Sequence, residues 1–160
     1  MPNWCEGTLK VRGKMNDVKR FFLEGIKCYD VNYKNFSRTV DESAIELDYD
    51  GEEEVGISIN KVAHILGTTR AFIDPTDVCL FLRKGGITVA TVNVRQAWDM
   101  VSSEFLEISK KYSVDMRLYG FERGMEFNRE IIIEKDKIIK DDVIKFDDYD
   151  CECVMPNLGG

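Results

Sequence analysis

The sequence predicts an α+β fold, a ferredoxin-like sandwich in which an antiparallel sheet carries two helices, with inserted and appended β-strands. Three observations predict it. A strand-like stretch opens the chain at 2–13, two segments of helical periodicity stand well apart, and alternating runs fill the intervals in the order β-α-β-β-α-β. With 160 residues and no linker or repeat, the chain is expected to form a single domain over 1–160.

In the opening stretch, Trp4 and Thr8 take one parity and Cys5, Leu9 and Val11 the other, and Gly13 stops the run. Trp4, Leu9 and Val11 are expected to found the core. Asn16 and Asp17 can cap a helix in which Val18, Phe21, Phe22 and Ile26 recur at three- and four-residue spacing. Residues 27–38, with Tyr29, Tyr33 and Phe36 among polar neighbours, read as a partly packed connection. The run 43–50 reads as a half-exposed strand and 55–60 as its partner, joined by the Asp50-Gly51 turn into a hairpin. Residues 62–66 suggest a helical turn, 69–73 a short extended piece, and 78–82 and 87–94 further strands.

Ala97, Val101, Phe105, Ile108 and Tyr112 mark the second helix, with Asn93 as its cap and Ser113 at its end. Strands at 114–121 and 125–134 follow, and Lys135-Asp136-Lys137 turns into Ile138-Ile139. From residue 140 to 160 the composition suggests a flexible acidic tail.

Two stretches resemble the YubB-like family of plasmid and phage proteins. One is Met1-Pro2-Asn3-Trp4-Cys5 followed by Thr8-Leu9-Lys10-Val11-Arg12-Gly13; the other is the helix 97–111, the strand 114–119 and Phe121-Glu122-Arg123-Gly124-Met125-Glu126-Phe127. The tryptophan-and-glycine segment many members carry before their second helix is replaced here by 88–94. The resemblance implies a ferredoxin-like domain and a mobile-element origin, and it supplies no catalytic residue.

Composition narrows the function further. Against 22 basic residues stand 29 acidic ones, a net charge of -7 that disfavours direct nucleic-acid binding and favours basic partners. Neither a leader-like segment nor a long apolar run is present, and the five cysteines lack a disulfide-framework spacing, so a cytoplasmic protein with reduced thiols is expected.

Eight carboxylates, Asp41, Glu42, Glu46, Asp48, Asp50, Glu52, Glu53 and Glu54, crowd residues 41–60, which contain no lysine or arginine. On one strand face, alternate carboxylates would stand ~7 Å apart, comparable to phosphates along a nucleic-acid strand. A second acidic cluster comprises Asp147, Asp148 and Asp150. The Glu46-x-Asp48-x-Asp50-Gly51 spacing lacks the later bidentate glutamate of a calcium loop, and Cys151-x-Cys153 supplies only two of a zinc site's four ligands. No metal or cofactor is therefore expected.

His64 has no identifiable nucleophile partner, and Gly85-Gly86 lacks the following Lys-Ser/Thr of a P-loop. The middle and closing strands show no basic-aromatic signature, and Trp4, Trp98, Phe105 and Phe121 fall at expected core positions. These observations converge on a non-enzymatic, anti-CRISPR-like protein. Its acidic surface would occupy the basic groove of a host nucleic-acid-handling defence protein, a CRISPR effector being one such partner. The alternatives are a nucleic-acid-binding accessory protein of a mobile element and a small enzyme with an unrecognised cleft site.

Overall fold

The computed structural model describes residues 3–32, 34–35 and 37–160. Pro2, Tyr33 and Phe36 lie outside them. Among the described residues there are twelve strands: β1 (Trp4–Lys14), β2 (Ile26–Asn32), β3 (Ser37–Val40), β4 (Ile45–Asp50), β5 (Glu54–Ile59), β6 (Ala63–Ile65), β7 (Ala71–Ile73), β8 (Thr76–Phe81), β9 (Ile87–Ala97), β10 (Asp115–Glu122), β11 (Phe127–Glu134) and β12 (Lys137–Lys145). Three helices join them, α1 (Met15–Glu24), α2 (Ser102–Tyr112) and the short α3 (Tyr149–Glu152).

The expected two-helix ferredoxin-like sandwich is overturned. Strands account for 53% of the described residues and helices, with a 3-10 turn at Glu42–Ala44, for 18%, so the fold is predominantly β. One antiparallel sheet has nine strands in the order β12-β11-β10-β1-β9-β7-β6-β2-β3, and a second has three, β4-β5-β8. The difference arises where the sequence is quietest. Residues 27–38 supply most of β2 and the start of β3, and 62–66 holds β6 instead of a helical turn.

β1 is the spine of the large sheet, paired along its length with β9 and from Glu6 to Arg12 with β10. Its alternation decides which face is covered. Cys5, Leu9 and Val11 are fully buried beneath Val18, Phe21 and Phe22 of α1 and Phe105, Ile108 and Tyr112 of α2. The three-stranded sheet closes the same side, contributing Val55, Ile57, Ile59, Val78 and Leu80 to one continuous core. Burying a side chain of this size stabilises by about 1.5–3 kcal/mol.

Close backbone approach at the spine depends on glycine. Gly7 faces Gly120 across the β1–β10 pair, and a Cβ on Gly7 would lie 1.9 Å from the Tyr119 carbonyl oxygen. The second helix begins later than its periodicity suggests. Val101 is its N-cap, Ala97 ends β9, and Ser113 closes the helix in the left-handed conformation.

Residues 140–160, expected as a flexible tail, contribute the last part of β12, then α3 and a terminal stretch laid against the sheet. Tyr149 and Cys153 are buried; the Tyr149 hydroxyl donates to Asn128 Oδ1 at 3.2 Å. Gly160 exchanges backbone hydrogen bonds with Trp4 in both directions. No helix among the described residues is long and apolar enough to cross a membrane.

Candidate functional site

The acidic stretch does not form one carboxylate face. Its strand β4 pairs with β5, but the register slips between Leu47 and Tyr49. Before the slip Glu46 opposes Ser58, and after it Tyr49 opposes Gly56 on that same side while Asp50 opposes Val55. A bulge of this kind reverses the parity of everything that follows it. Asp50 consequently reaches Lys19 of α1 at 2.9 Å, and Asp48 accepts from the Ser58 hydroxyl at 2.8 Å.

Asp41 is also paired. It accepts from Ser43 and from Lys61, which additionally donates to Asp30 at 2.7 Å. The Lys61 hydrogen bond, then that of Ser43, hold the Asp41 carboxyl below its ordinary range. Glu42, Glu46, Glu52, Glu53 and Glu54 are exposed and lack an ion-pair partner among the described residues, although Glu54 accepts from the Tyr49 hydroxyl. Asp147, Asp148 and Asp150 are exposed around α3, and Asp148 caps it by accepting from Cys151 N.

A different constellation occupies the opposite side of the large sheet. In β1, β9, β7, β6 and β2 the residues between the core positions point away from the helices. Register places Arg95 beside Phe72, Phe72 beside His64 and His64 beside Lys27. The alternation of β2, with Ile26 and Cys28 buried, turns Lys27, Tyr29 and Val31 to this open face.

The result is an aromatic row crossing the strands. Ring centroids are 6.0 Å apart from Trp4 to Phe72, 5.3 Å from Phe72 to His64 and 6.5 Å from His64 to Tyr29. All four rings are half-buried, so their exposed parts form a shallow floor. Arg70 and Arg95 lie over the Trp4 ring, with guanidinium carbons 5.7 and 5.6 Å from its centroid. Such contacts hold the arginines near the indole while leaving donor edges available.

The floor belongs to a recess of about 520 Å³ bordered by Trp4, Tyr29, Arg38, His64, Arg70 and Phe72, with Thr69 at its rim. A smaller hollow of about 190 Å³ continues it past Tyr29 and Arg38 to Val31 and Val62. Neither is lined by a carboxylate. Arg95 pairs with Asp74 at 3.3 Å, whereas Arg38 and Arg70 make no ion pair among the described residues. The recess is thus locally positive on a chain whose net charge is -7.

His64 is held in place by more than packing. Its Nε2 lies 3.1 Å from the Thr68 carbonyl, which makes that nitrogen the donor. Thr68 is buried and donates from Oγ1 to the Ile65 carbonyl while accepting from Ala71 N, so the loop between β6 and β7 is internally braced. Next to it, Glu104 of α2 accepts from Thr69 N, Thr69 Oγ1 and the side chain of Gln96.

Sequence reading missed this site. Trp4 was expected in the core, yet it has the parity of Thr8 and Lys10 and belongs to the open face. Trp98 is 61% exposed, and only Phe105 of the four expected core aromatics is fully buried. Tyr29 and His64 were hidden because neither β2 nor β6 was recognised as a strand. A period-2 reading of 26–32 would have placed Tyr29 opposite Ile26 and Cys28, on the uncovered side.

The arrangement can stack planar groups and bind anions beside them. Among the described residues no group of three or more His, Cys, Asp or Glu side chains converges as a metal site. No family model, curated protein or solved structure matches the chain.

Proposed function

We propose that the protein binds single-stranded nucleic acid on the open face of its nine-stranded sheet. The observation that carries this reading is the row Trp4, Phe72, His64 and Tyr29, set in a carboxylate-free recess beside Arg38 and Arg70. Sheet-borne aromatics stack on bases exposed in a single strand, and neighbouring guanidinium groups take the phosphates. A duplex, with its bases enclosed, offers this floor nothing to stack on.

Net negative charge is compatible with such binding because the field that matters is local. The acidic hairpin β4–β5 belongs to the layer on the helix side of the large sheet, as the Lys19–Asp50 pair fixes. The test is a fluorescence titration with an oligothymidylate of about 12 nucleotides, within the site sizes known for single-strand binders. Saturable binding that Phe72→Ala weakens supports the proposal. Absence of binding at low salt, or equal binding by wild type and Phe72→Ala, rejects it.

The exposed carboxylates support a second reading, that the β4–β5 hairpin docks into the basic groove of a nucleic-acid-handling partner such as a CRISPR effector. Glu46, Glu52, Glu53 and Glu54 are exposed and make no ion pair among the described residues. Reversal of all four to lysine should abolish inhibition of the partner and leave oligonucleotide binding by the opposite face intact. Retained inhibition would remove this reading.

A further inference from the structure

Beyond the aromatic recess lies a second hollow, of about 330 Å³, bordered by Thr69, Arg70, Gln96, Ala97, Trp98 and Val101, with Asp99 at its margin. The two hollows share Thr69 and Arg70. We propose that Trp98 is a second stacking platform of the same site, so that the ligand is a strand of at least two nucleotides with a phosphate held at Arg70 between the two stacked bases. This inference rests on the proposed single-strand binding.

Three observations carry it. Trp98 is 61% exposed, an unusual position for the largest apolar side chain. Its backbone has φ 73°, in the left-handed region; the other non-glycine residues with positive φ among those described are Ser113, Glu126, Lys135 and Asp136. A bulky residue in this conformation is a genuine outlier, and such strain persists only where surrounding structure imposes it.

The surrounding structure does impose it. Trp98 N donates to the Asn3 carbonyl at 2.8 Å, pinning the end of β9 to the start of β1, where Trp4 begins the first platform. On the other side Gln96, almost fully buried, accepts from Val101 N while donating to Glu104, which in turn holds Thr69. The loop carrying Trp98 and the loop carrying Arg70 are therefore braced to one another through two side chains. Asp99 borders the hollow and is paired with Arg129 at 3.3 Å, and the Glu104 carboxylate behind Thr69 and Gln96 is taken up by its hydrogen bonds to them.

Trp98→Ala, Trp98→Phe and Trp98→Gly can be compared with wild type against thymidine monophosphate and against the oligothymidylate. Losing one stacked base should weaken oligonucleotide binding roughly 5- to 150-fold, corresponding to about 1–3 kcal/mol. Mononucleotide affinity should be unchanged, because Trp4 and Phe72 remain, and Trp98→Phe should recover most of the loss. Trp98→Gly should raise the urea midpoint by relieving the backbone while weakening the oligonucleotide as much as alanine does, a combination that a purely structural tryptophan would not produce. Oligonucleotide affinity unaffected by Trp98→Ala, or equal losses for both ligands, overturns the second platform while leaving the first. If wild type binds no oligonucleotide, the parent reading fails and this one with it.

Discussion

Replacing Arg70 or Arg38 should change how binding depends on salt as well as its strength. Each phosphate contact in a single strand contributes about -0.7 to the slope of log affinity against log salt. Arg38, Arg70 and Arg95 surround the aromatic row, and Arg95 is partly neutralised by Asp74. Two to three contacts give a slope between about -1.4 and -2.1, so raising salt from about 50 to 200 mM should weaken binding roughly 7- to 20-fold. Arg70→Ala and Arg38→Ala should each flatten the slope by about 0.7. Arg20→Ala, on α1 at the opposite side of the sheet, is the control and should leave the slope unchanged. Anisotropy titrations of the oligothymidylate at four salt concentrations measure all of this. Salt-independent binding, or a slope lowered by Arg20→Ala and not by Arg70→Ala, would refute the placement of the phosphates.

Other expectations concern the scaffold that holds the site. Gly7→Ala forces a methyl group against the Tyr119 carbonyl in the central strand pair, and urea unfolding should show a loss of about 3 kcal/mol or more, in the range of severe overpacking. Tyr112→Phe removes a buried hydroxyl that has no hydrogen-bond partner, and the same assay should show a stability equal to wild type or higher by about 1 kcal/mol. Burial first, then the nearby Asp99 charge, pushes the Cys5 thiol from its ordinary 9.0 up to about 12. Between those values the unfolded chain has released a proton that the folded chain retains. Stability attributable to Cys5 should therefore fall by about 1.4 kcal/mol per pH unit above pH 9, and Cys5→Ala should remove that component.

Much of the helix side was legible because its signal is local. Val18, Phe21 and Phe22, and likewise Phe105, Ile108 and Tyr112, repeat at helical spacing and are buried as their periodicity requires. The β4–β5 hairpin was equally plain from Asp50-Gly51 between alternating runs. What sequence could not display is the result of pairing between distant segments. β6 and β7 are three residues each, too short to establish a period, and they enter the sheet between β2 and β9. Their insertion brings His64 and Phe72 alongside Trp4, more than fifty residues away in the chain. The bulge in β4 is invisible for a similar reason: it exists only as a mismatch with β5, and it alone sends Asp50 to Lys19 and away from the other carboxylates.

That mismatch bears on how one chain could carry two opposed surfaces. Had β4 kept its register, Glu46, Asp48 and Asp50 would have shared one face, and Lys19 would have been left without this partner. With the bulge, Asp50 ties the hairpin to α1, the element that covers the β1 side of the core. The hairpin's remaining carboxylates are thereby kept on the helix side, a whole sheet thickness from Arg38 and Arg70. At physiological salt the field of solvent-exposed charges decays over about 8 Å, which limits what carboxylates on the helix side contribute at the recess. A single inserted residue in β4 thus belongs to the electrostatics of a site on the far face. Asp50→Ala, which keeps the register and removes only the carboxylate, should leave the Lys19 charge unpaired and lower stability in urea while leaving the Trp4–Phe72 floor in place. An unchanged unfolding midpoint would show that the Asp50–Lys19 tie is dispensable to the packing of the two sheets.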